Sequence, residues 1–246
     1  MRWRLFAAVA ALGIFLSGCA IKPQQPVPLG KDALTSSSAK SAKVGVAMSE
    51  LPKVDTFFPG ADCLLCYAFA SASNSALTKH TETLARDDLA SLKEDVAAAL
   101  RKKNVEVMVI KEAIDLKSLP DIRTEVPTAA RKDFASLRVK HAVDKLLVID
   151  MPQVGYVRTY ASYVPTSDPK AVVTGAAYLV DLKTNTYSWY LPININRAAG
   201  TTWDEPPKFP GLTNAYFQAI EASRDSVLKP LADVAVPEGA PATGAQ

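Results

Sequence analysis

Histidine, cysteine and methionine are scarce in this sequence, at two, three and four residues among 246. The first two scarcities restrict metal and acid–base chemistry. His80 and His141 have no second histidine at ligand spacing, and adding Cys63 and Cys66 produces no zinc pattern. Each histidine lies on or beside an apolar helical stripe, where a hydrogen-bonded structural role is the expectation. The eleven glycines form no P-loop, no G-x-G-x-x-G and no G-x-S-x-G, and H-E-x-x-H is absent. Asp87-Asp88 and Glu94-Asp95 are neighbouring carboxylates at the start and on the outer face of a helix, where they serve the dipole and solvent. Neither catalysis nor a cofactor is expected.

Long apolar runs are also missing. None approaches the ~20 residues that a membrane-spanning helix needs. The run Leu5 to Leu16 follows the cationic head Met1-Arg-Trp-Arg4 and leads into Leu16-Ser-Gly-Cys19, the layout of an export signal. Those last four residues resemble the lipobox of bacterial lipoproteins. The resemblance implies cleavage between Gly18 and Cys19, with Cys19 as the lipidated first residue carrying a diacylglycerol and a palmitate, more than the two chains that stable anchoring takes. Ala20 stands where an inner-membrane lipoprotein typically has Asp, so the resemblance implies the periplasmic face of the outer membrane.

An excess of charge is lacking too. Lys and Arg total 28 against 25 Asp and Glu, and removing residues 1–18 with Arg2 and Arg4 leaves 26 against 25 on 228 residues. A neutral body has no basic face for nucleic acid, whose binding depends on counterion release. Its membrane association would rest on lipid rather than charge. Residues 1–18 therefore read as a signal peptide and 19–42 as a lipidated tether, with Pro23, Pro26, Pro28 and Ser36-Ser-Ser38 and no apolar period. Such a tether averages roughly 27 Å end to end. Residues 43–232 read as one domain and 233–246 as a disordered tail without bulky apolar residues.

Within 43–232 the pattern alternates. Val44 to Met48 is a short β-type run ended by Pro52. After the Pro59-Gly60 turn, Asp62 sits where an N-cap would, and Leu65, Phe69, Ala72, Ala76 and His80 mark a helix over roughly 63–83; a Cys63 to Phe69 strand is the rival. Leu89, Leu92, Val96 and Leu100 mark a second helix, and Val105 to Ile110 an inner strand. Ala130, Phe134, Leu137 and His141 trace a third helix with Pro127 near its start, and Leu146 to Asp150 the next strand. This βα(α)βαβ order implies a parallel sheet with right-handed crossovers. Beyond Gly155 the pattern is antiparallel: Tyr156, Arg158 and Tyr160 alternate with smaller residues, and Val172 to Asp181 and Tyr187 to Ile195 flank the Lys183-Thr-Asn-Thr186 turn. Trp189, Leu191, Ile193 and Ile195 share one face; Ser188, Tyr190, Asn194 and Asn196 share the other, expected to be wet. Leu212 to Leu231 form a closing amphipathic helix that Pro230 disturbs. The fold class is α/β with a mixed sheet.

Cys63 and Cys66 are the thiols left beside Cys19. On a strand they would lie ~10 Å apart, beyond bridging distance, whereas the first turn of a helix leaves a disulfide open. Thioredoxin-like context around this C-x-x-C is missing, and Tyr67 stands where haem attachment needs His. Tyr156, Arg158, Tyr160 and Tyr190 are the candidate partner-binding residues, because tyrosine on a wet β face suits protein interfaces, although core packing and strand propensity also account for such residues.

Lipobox, tether and this element order together resemble outer-membrane lipoproteins with a TolB amino-terminal-like fold, including the CsgG type. Beyond residue 19 the likeness lies in the order of elements, and there is no long pore-forming β-ribbon. The resemblance implies a non-enzymatic auxiliary or scaffold of an envelope complex, in transport, secretion or peptidoglycan synthesis, bound to the membrane through Cys19 and to periplasmic proteins or further copies of itself. The alternatives are a thiol redox protein using Cys63 and Cys66 and a carrier of lipophilic ligands.

Overall fold

A computed structural model describes residues 23–30, 33–34 and 42–233. The expected signal peptide, Cys19 and residues 234–246 of the expected tail lie outside the described residues. The elements are β1 (Lys43–Met48), β2 (Asp55–Phe57), α1 (Leu64–Ser73), α2 (Ser75–Thr81), α3 (Asp87–Arg101), β3 (Glu106–Val109), α4 (Ala135–His141), β4 (Lys145–Val157), β5 (Tyr160–Ala161), β6 (Val164–Pro165), β7 (Lys170–Asp181), β8 (Thr186–Ala198) and α5 (Pro210–Ala232). They form an α/β fold around one mixed sheet, with a closing C-terminal helix.

The sheet order is β3-β1-β4-β7-β8, with β2 also paired to β4. β1 runs parallel to β3 and β4, and β7 runs antiparallel to β4 and β8. Because β1 lies between them, the run expected as an inner strand, β3, is an edge, and its side chains are only half-buried. The two stretches expected as separate strands around 146–150 and 156–161 are largely one strand, β4. It carries an irregularity between Asp150 and Gln153, where Pro152, which cannot donate to a ladder, is exposed.

That irregularity reverses which face each side chain takes. Leu147, Ile149 and Met151 enter the larger core, and after the bulge it is Val154 and Tyr156 that do so. α3 packs on this face through Leu89, Leu92, Val96 and Leu100, next to α5 with Leu212, Tyr216, Ile220 and Val227. Pro210 opens α5, and Pro230 sits inside it without ending it before Ala232. The opposite face carries a smaller core of Leu146, Val148, Tyr178 and Val180 under Ile114, Phe134 and Leu137.

Two helices depart from their sequence periodicity. The expected helix over 63–83 is broken at Asn74, whose side chain donates to the Ala70 carbonyl at 2.7 Å and so competes with the helical ladder. Of the helix expected from Ala130, only Ala135–His141 is helical. Residues 130–134 are tied to the β7–β8 turn instead: Ala130 N–H donates to the Asn185 carbonyl at 2.9 Å, and Phe134 N–H to Asn185 Oδ1 at 3.0 Å.

Part of the expected tether lies on the body. Val27 and Tyr190 exchange two backbone hydrogen bonds of 2.9 Å across the outer edge of β8. Leu34 is buried in the larger core, and the Ala33 carbonyl accepts from Lys145 Nζ at 2.6 Å. Burial lowers the Lys145 pKa, while Asp181 and Asp144 act to raise it.

Gly175 on β7 faces the β4 irregularity. A Cβ there would meet the Asp150 carbonyl oxygen at 2.0 Å, a backbone atom that cannot step aside. Gly175→Ala is therefore expected to cost ~2–4 kcal/mol. A denaturant midpoint within error of the parent would count against this role for the glycine.

Candidate functional site

The part of the molecule that stands out chemically is the end of the sheet where β4 leaves it. Here β2 continues the pairing of β4, with Asp55 opposite Gly155 and Phe57 opposite Val157. The chain beyond β2 stays in register: Tyr160 N–H donates to the Pro59 carbonyl at 2.8 Å and Ser162 N–H to that of Gly60 at 3.1 Å. Gly60 has φ +87°, and a Cβ there would meet Tyr160 O at 1.9 Å, so this crossing requires glycine. It delivers Cys63 to the start of α1.

Cys63 and Cys66 form a disulfide with Cα atoms 4.9 Å apart. Cys63, not Asp62, is the N-cap, its Sγ accepting from Cys66 N–H at 2.9 Å. Cys66 is buried and Cys63 exposed. Under α1 lies a small satellite core of Phe58, Ala61, Cys66, Ala70 and Tyr160. Phe58 packs edge-on against both Tyr67 and Tyr160.

The polar centre of this end is Asn74. Its Nδ2 donates to Tyr160 Oη at 2.6 Å as well as to Ala70 O, and its Oδ1 accepts from Arg158 Nη1 at 2.8 Å. Arg158 Nε donates to Ser167 O at 3.2 Å, and the guanidinium lies 4.7 Å from the ring centre of Trp203. Trp203 stacks on Phe209, which packs against His80. His80 Nε2 shares a 2.8 Å hydrogen bond with Thr213 Oγ1; burial and then Lys208 lower its pKa. The end of β4, α1–α2, the β6–β7 loop and the start of α5 are thus joined through five polar side chains, Asn74, Arg158, Tyr160, His80 and Thr213. Neutral acceptors and a ring hold the cation. The arrangement fixes shape.

Of the four candidate partner-binding residues, three are not free surface. Tyr156 is wholly buried against Tyr216, and burial pushes both phenols up, that of Tyr216 to about 12. Tyr160 is buried in the satellite core. Tyr190 is half-buried, stacked on Tyr178 and tilted against Tyr187, with its backbone covered by Val27; burial raises its pKa, opposed by Arg131. The second face of β8 is accordingly wet only further along, at Asn194 and Asn196. Arg158 belongs to the Asn74 network. The bulge explains the inward turn of Tyr156, and the second core explains the cover over Tyr190.

Surface apolar residues lie elsewhere. Leu64, Leu65, Tyr67 and Phe69 of α1 are 86, 69, 53 and 50% exposed, and Tyr163 and Val164 of the β5–β6 hairpin 46 and 62%. Phe69 and Tyr163 meet edge-on at 6.1 Å, making these residues one patch. The stripe Leu65, Phe69, Ala72, Ala76 had marked the helix by periodicity, and it faces water. The buried positions of α1 and α2 are Cys66, Ala70, Leu77 and Thr81. Hydropathy could find the stripe, but nothing in the pattern says which side faces in.

Among the described residues no cluster of three or more His, Cys, Asp or Glu could hold a metal, and no helix is long and apolar enough to cross a membrane. A groove of about 480 Å³ between α3 and α5 is open and lined by Asp88, Glu221, Arg224 and Asp225 beside Phe217 and Leu228. Such a lining does not suit a lipophilic ligand. Arg224 bonds Asp95 across it at 2.6 Å.

No family model matches the chain, and no curated protein matches it. Among solved structures it is similar to a PelC dodecamer from Paraburkholderia phytofirmans, at 11% identity and a TM-score of 0.32 over 86% of this chain and 95% of that one. It is also similar to a putative neuraminyllactose-binding hemagglutinin homolog from Helicobacter pylori, at 14% identity and a TM-score of 0.28 over 86% and 82%. Likenesses of this size carry no argument about function.

Asn74→Ala would remove the partner of the Tyr160 hydroxyl and one of the partners of the Arg158 guanidinium together. It is expected to cost ~2–3 kcal/mol, and a double-mutant cycle with Arg158→Ala should give a coupling of ~1 kcal/mol or more. Additive losses would mean that the two side chains act independently.

Proposed function

We propose that this chain is a non-enzymatic lipoprotein of the cell envelope, anchored through Cys19 to the periplasmic face of the outer membrane, that works by docking on other envelope components. The observation that carries this reading is the sequence Leu16-Ser-Gly-Cys19 directly behind a short apolar run and a cationic head. The order of elements in the sheet supports the likeness to TolB amino-terminal-like lipoproteins. Where the polar side chains are engaged also supports docking over chemistry, since the largest polar network is consumed in holding the fold.

The edge contact of Val27 refines the anchoring. Gln24 Nε2 also donates to the Pro127 carbonyl at 2.6 Å, and Cys19 lies five residues before Gln24, a span of at most ~18 Å. Attachment begins soon after the anchor, so the body sits closer to the bilayer than the ~27 Å average of a free 24-residue tether. Cys19→Ala is expected to move the protein from the membrane fraction to the soluble periplasmic fraction. Unchanged fractionation would remove the anchor from the proposal.

A second reading rests on one observation: the bridged pair at the start of α1 has one exposed and one buried sulfur. In a thiol redox protein a substrate thiolate would attack Cys63 Sγ, Cys66 would leave as thiolate, and the second substrate thiol would then release two cysteines and a substrate disulfide. Mass spectrometry with and without reductant, combined with turnover of a dithiol peptide, decides between them. Turnover that depends on both cysteines would favour this second reading.

A further inference from the structure

We infer that the apolar face of α1 is a self-association surface, closed by the same face of a second copy in antiparallel, two-fold packing. The face comprises Leu64, Leu65, Ala68, Phe69 and Ala72, extended by Tyr163 and Val164 of the β5–β6 hairpin, and all of these residues are exposed. It is also rigid. The Cys63–Cys66 bridge staples its first turn, Asn74 fixes its last, and Cys66 and Ala70 seat it on the satellite core. Its large apolar side chains expose on the order of 600 Å², the upper end of what isolated soluble proteins show.

The stretches outside the described residues offer few apolar side chains to cover it. Outside the described residues, and once residues 1–18 are removed, stand Cys19 to Lys22, two residues at 31–32, the polar stretch 35–41 and the tail 234–246. Ile21 is the one large aliphatic residue among the first three of these, and the tail offers only Val234 and Val236. That step rests on the lipoprotein reading, which removes the apolar leader.

Charge argues against a lipid surface as the cover. Residues 63–78 carry no charged side chain, so no basic ring greets anionic headgroups, and exposed Asp62 stands beside the most exposed leucine.

Size complementarity argues for a second copy. Leu65, Ala68, Phe69 and Ala72 form one stripe of alternating large and small residues at spacings of three, one and three. Rotating a copy about an axis between Ala68 and Phe69 sets Leu65 against the partner's Ala72 and Ala68 against the partner's Phe69. Each large side chain then meets a small one, and the stripe fits itself without repacking. Two such patches remove ~1,200 Å² in total, which reaches the lower bound of specific interfaces. The expected complex is therefore a weak, reversible pair, strengthened when both anchors confine the copies to one membrane.

Sedimentation velocity of the full chain, purified from membranes in mild detergent, is expected to show a concentration-dependent monomer–dimer equilibrium. Leu65→Asp and Phe69→Glu should each weaken it at least tenfold with unchanged thermal unfolding, because both side chains are solvent-exposed. Val139→Asp, at an exposed valine away from the patch, should leave it unchanged. Ala68→Cys next to the axis should crosslink two copies readily, and Ala72→Cys, whose two copies lie ~10 Å apart along the helices, should not. A monomer at all concentrations, or a dimer indifferent to Leu65→Asp and Phe69→Glu, would overturn the inference. Equal crosslinking at both positions would overturn the antiparallel arrangement. So would flotation of the Cys19→Ala chain with phosphatidylethanolamine–phosphatidylglycerol vesicles that Leu65→Asp abolishes, since a bilayer would then be the cover. An intact mass that still includes residues 1–18 would restore a segment of this chain as the occupant, whereas the fractionation of Cys19→Ala bears on the anchor alone.

Discussion

The bulge in β4 between Asp150 and Gln153, matched by Gly175 on β7, is the constraint from which the rest of the architecture follows. A regular strand of thirteen residues would keep one parity throughout, so the residues that face the larger core before the bulge would dictate those after it. The bulge shifts that parity by one. Leu147, Ile149 and Met151 point into the core from the first half, and Val154 and Tyr156 from the second, so both halves present bulky side chains to the same pair of helices. It also separates two pairing sites on one edge: β1 takes the first half of β4 and β2 the second. Without the second site nothing would hold residues 58–62 across Tyr160, and α1 would have no fixed starting point.

Periodicity carried much of this into the sequence. The α3 stripe, the closing helix and the β7–β8 hairpin repeat apolar residues over many positions, and each such repeat can be buried in one way only. Where the repeat is short, or its partner distant, the sequence says less. The helix expected from Ala130 shrinks to Ala135–His141 because backbone groups of 130–134 are satisfied by Asn185, more than fifty residues away. Asn74 breaks the first helix for a similar reason, its amide being engaged at once by Ala70, Tyr160 and Arg158. The bulge itself is signalled in the sequence only by Pro152, a residue that cannot sit inside a regular central strand. Reading 146–150 and 156–161 as separate strands left the face of Tyr156 unconnected to that of Leu147 and Ile149, and its burial in the larger core unseen.

The stripe on α1 is a different kind of miss. Periodicity identified the helix and left its inner side open, although an apolar stripe ordinarily faces the core it helps to form. Here the inward positions are a cysteine and an alanine, small enough for α1 to lie close on Phe58 and Tyr160, and the bulky residues are left outside. A small-residue seat with a large-residue outer face is the reverse of an ordinary amphipathic helix.

That reversal has an energetic consequence. A ten-residue helix is marginal by itself in water, and turning its large apolar side chains outward forgoes the burial that usually sustains such a helix. The deficit is met locally, by a disulfide across the first turn, a disulfide-sulfur cap on Cys66 N–H, and an asparagine amide at the last turn tied to an arginine that stacks on Trp203. Each of these would be unnecessary if Leu65 and Phe69 packed inward. The end of the sheet is built to keep an apolar surface presented and stiff. A surface of that kind loses free energy to water in the isolated chain and regains it on contact, which is the physical argument that this end of the sheet meets another apolar surface.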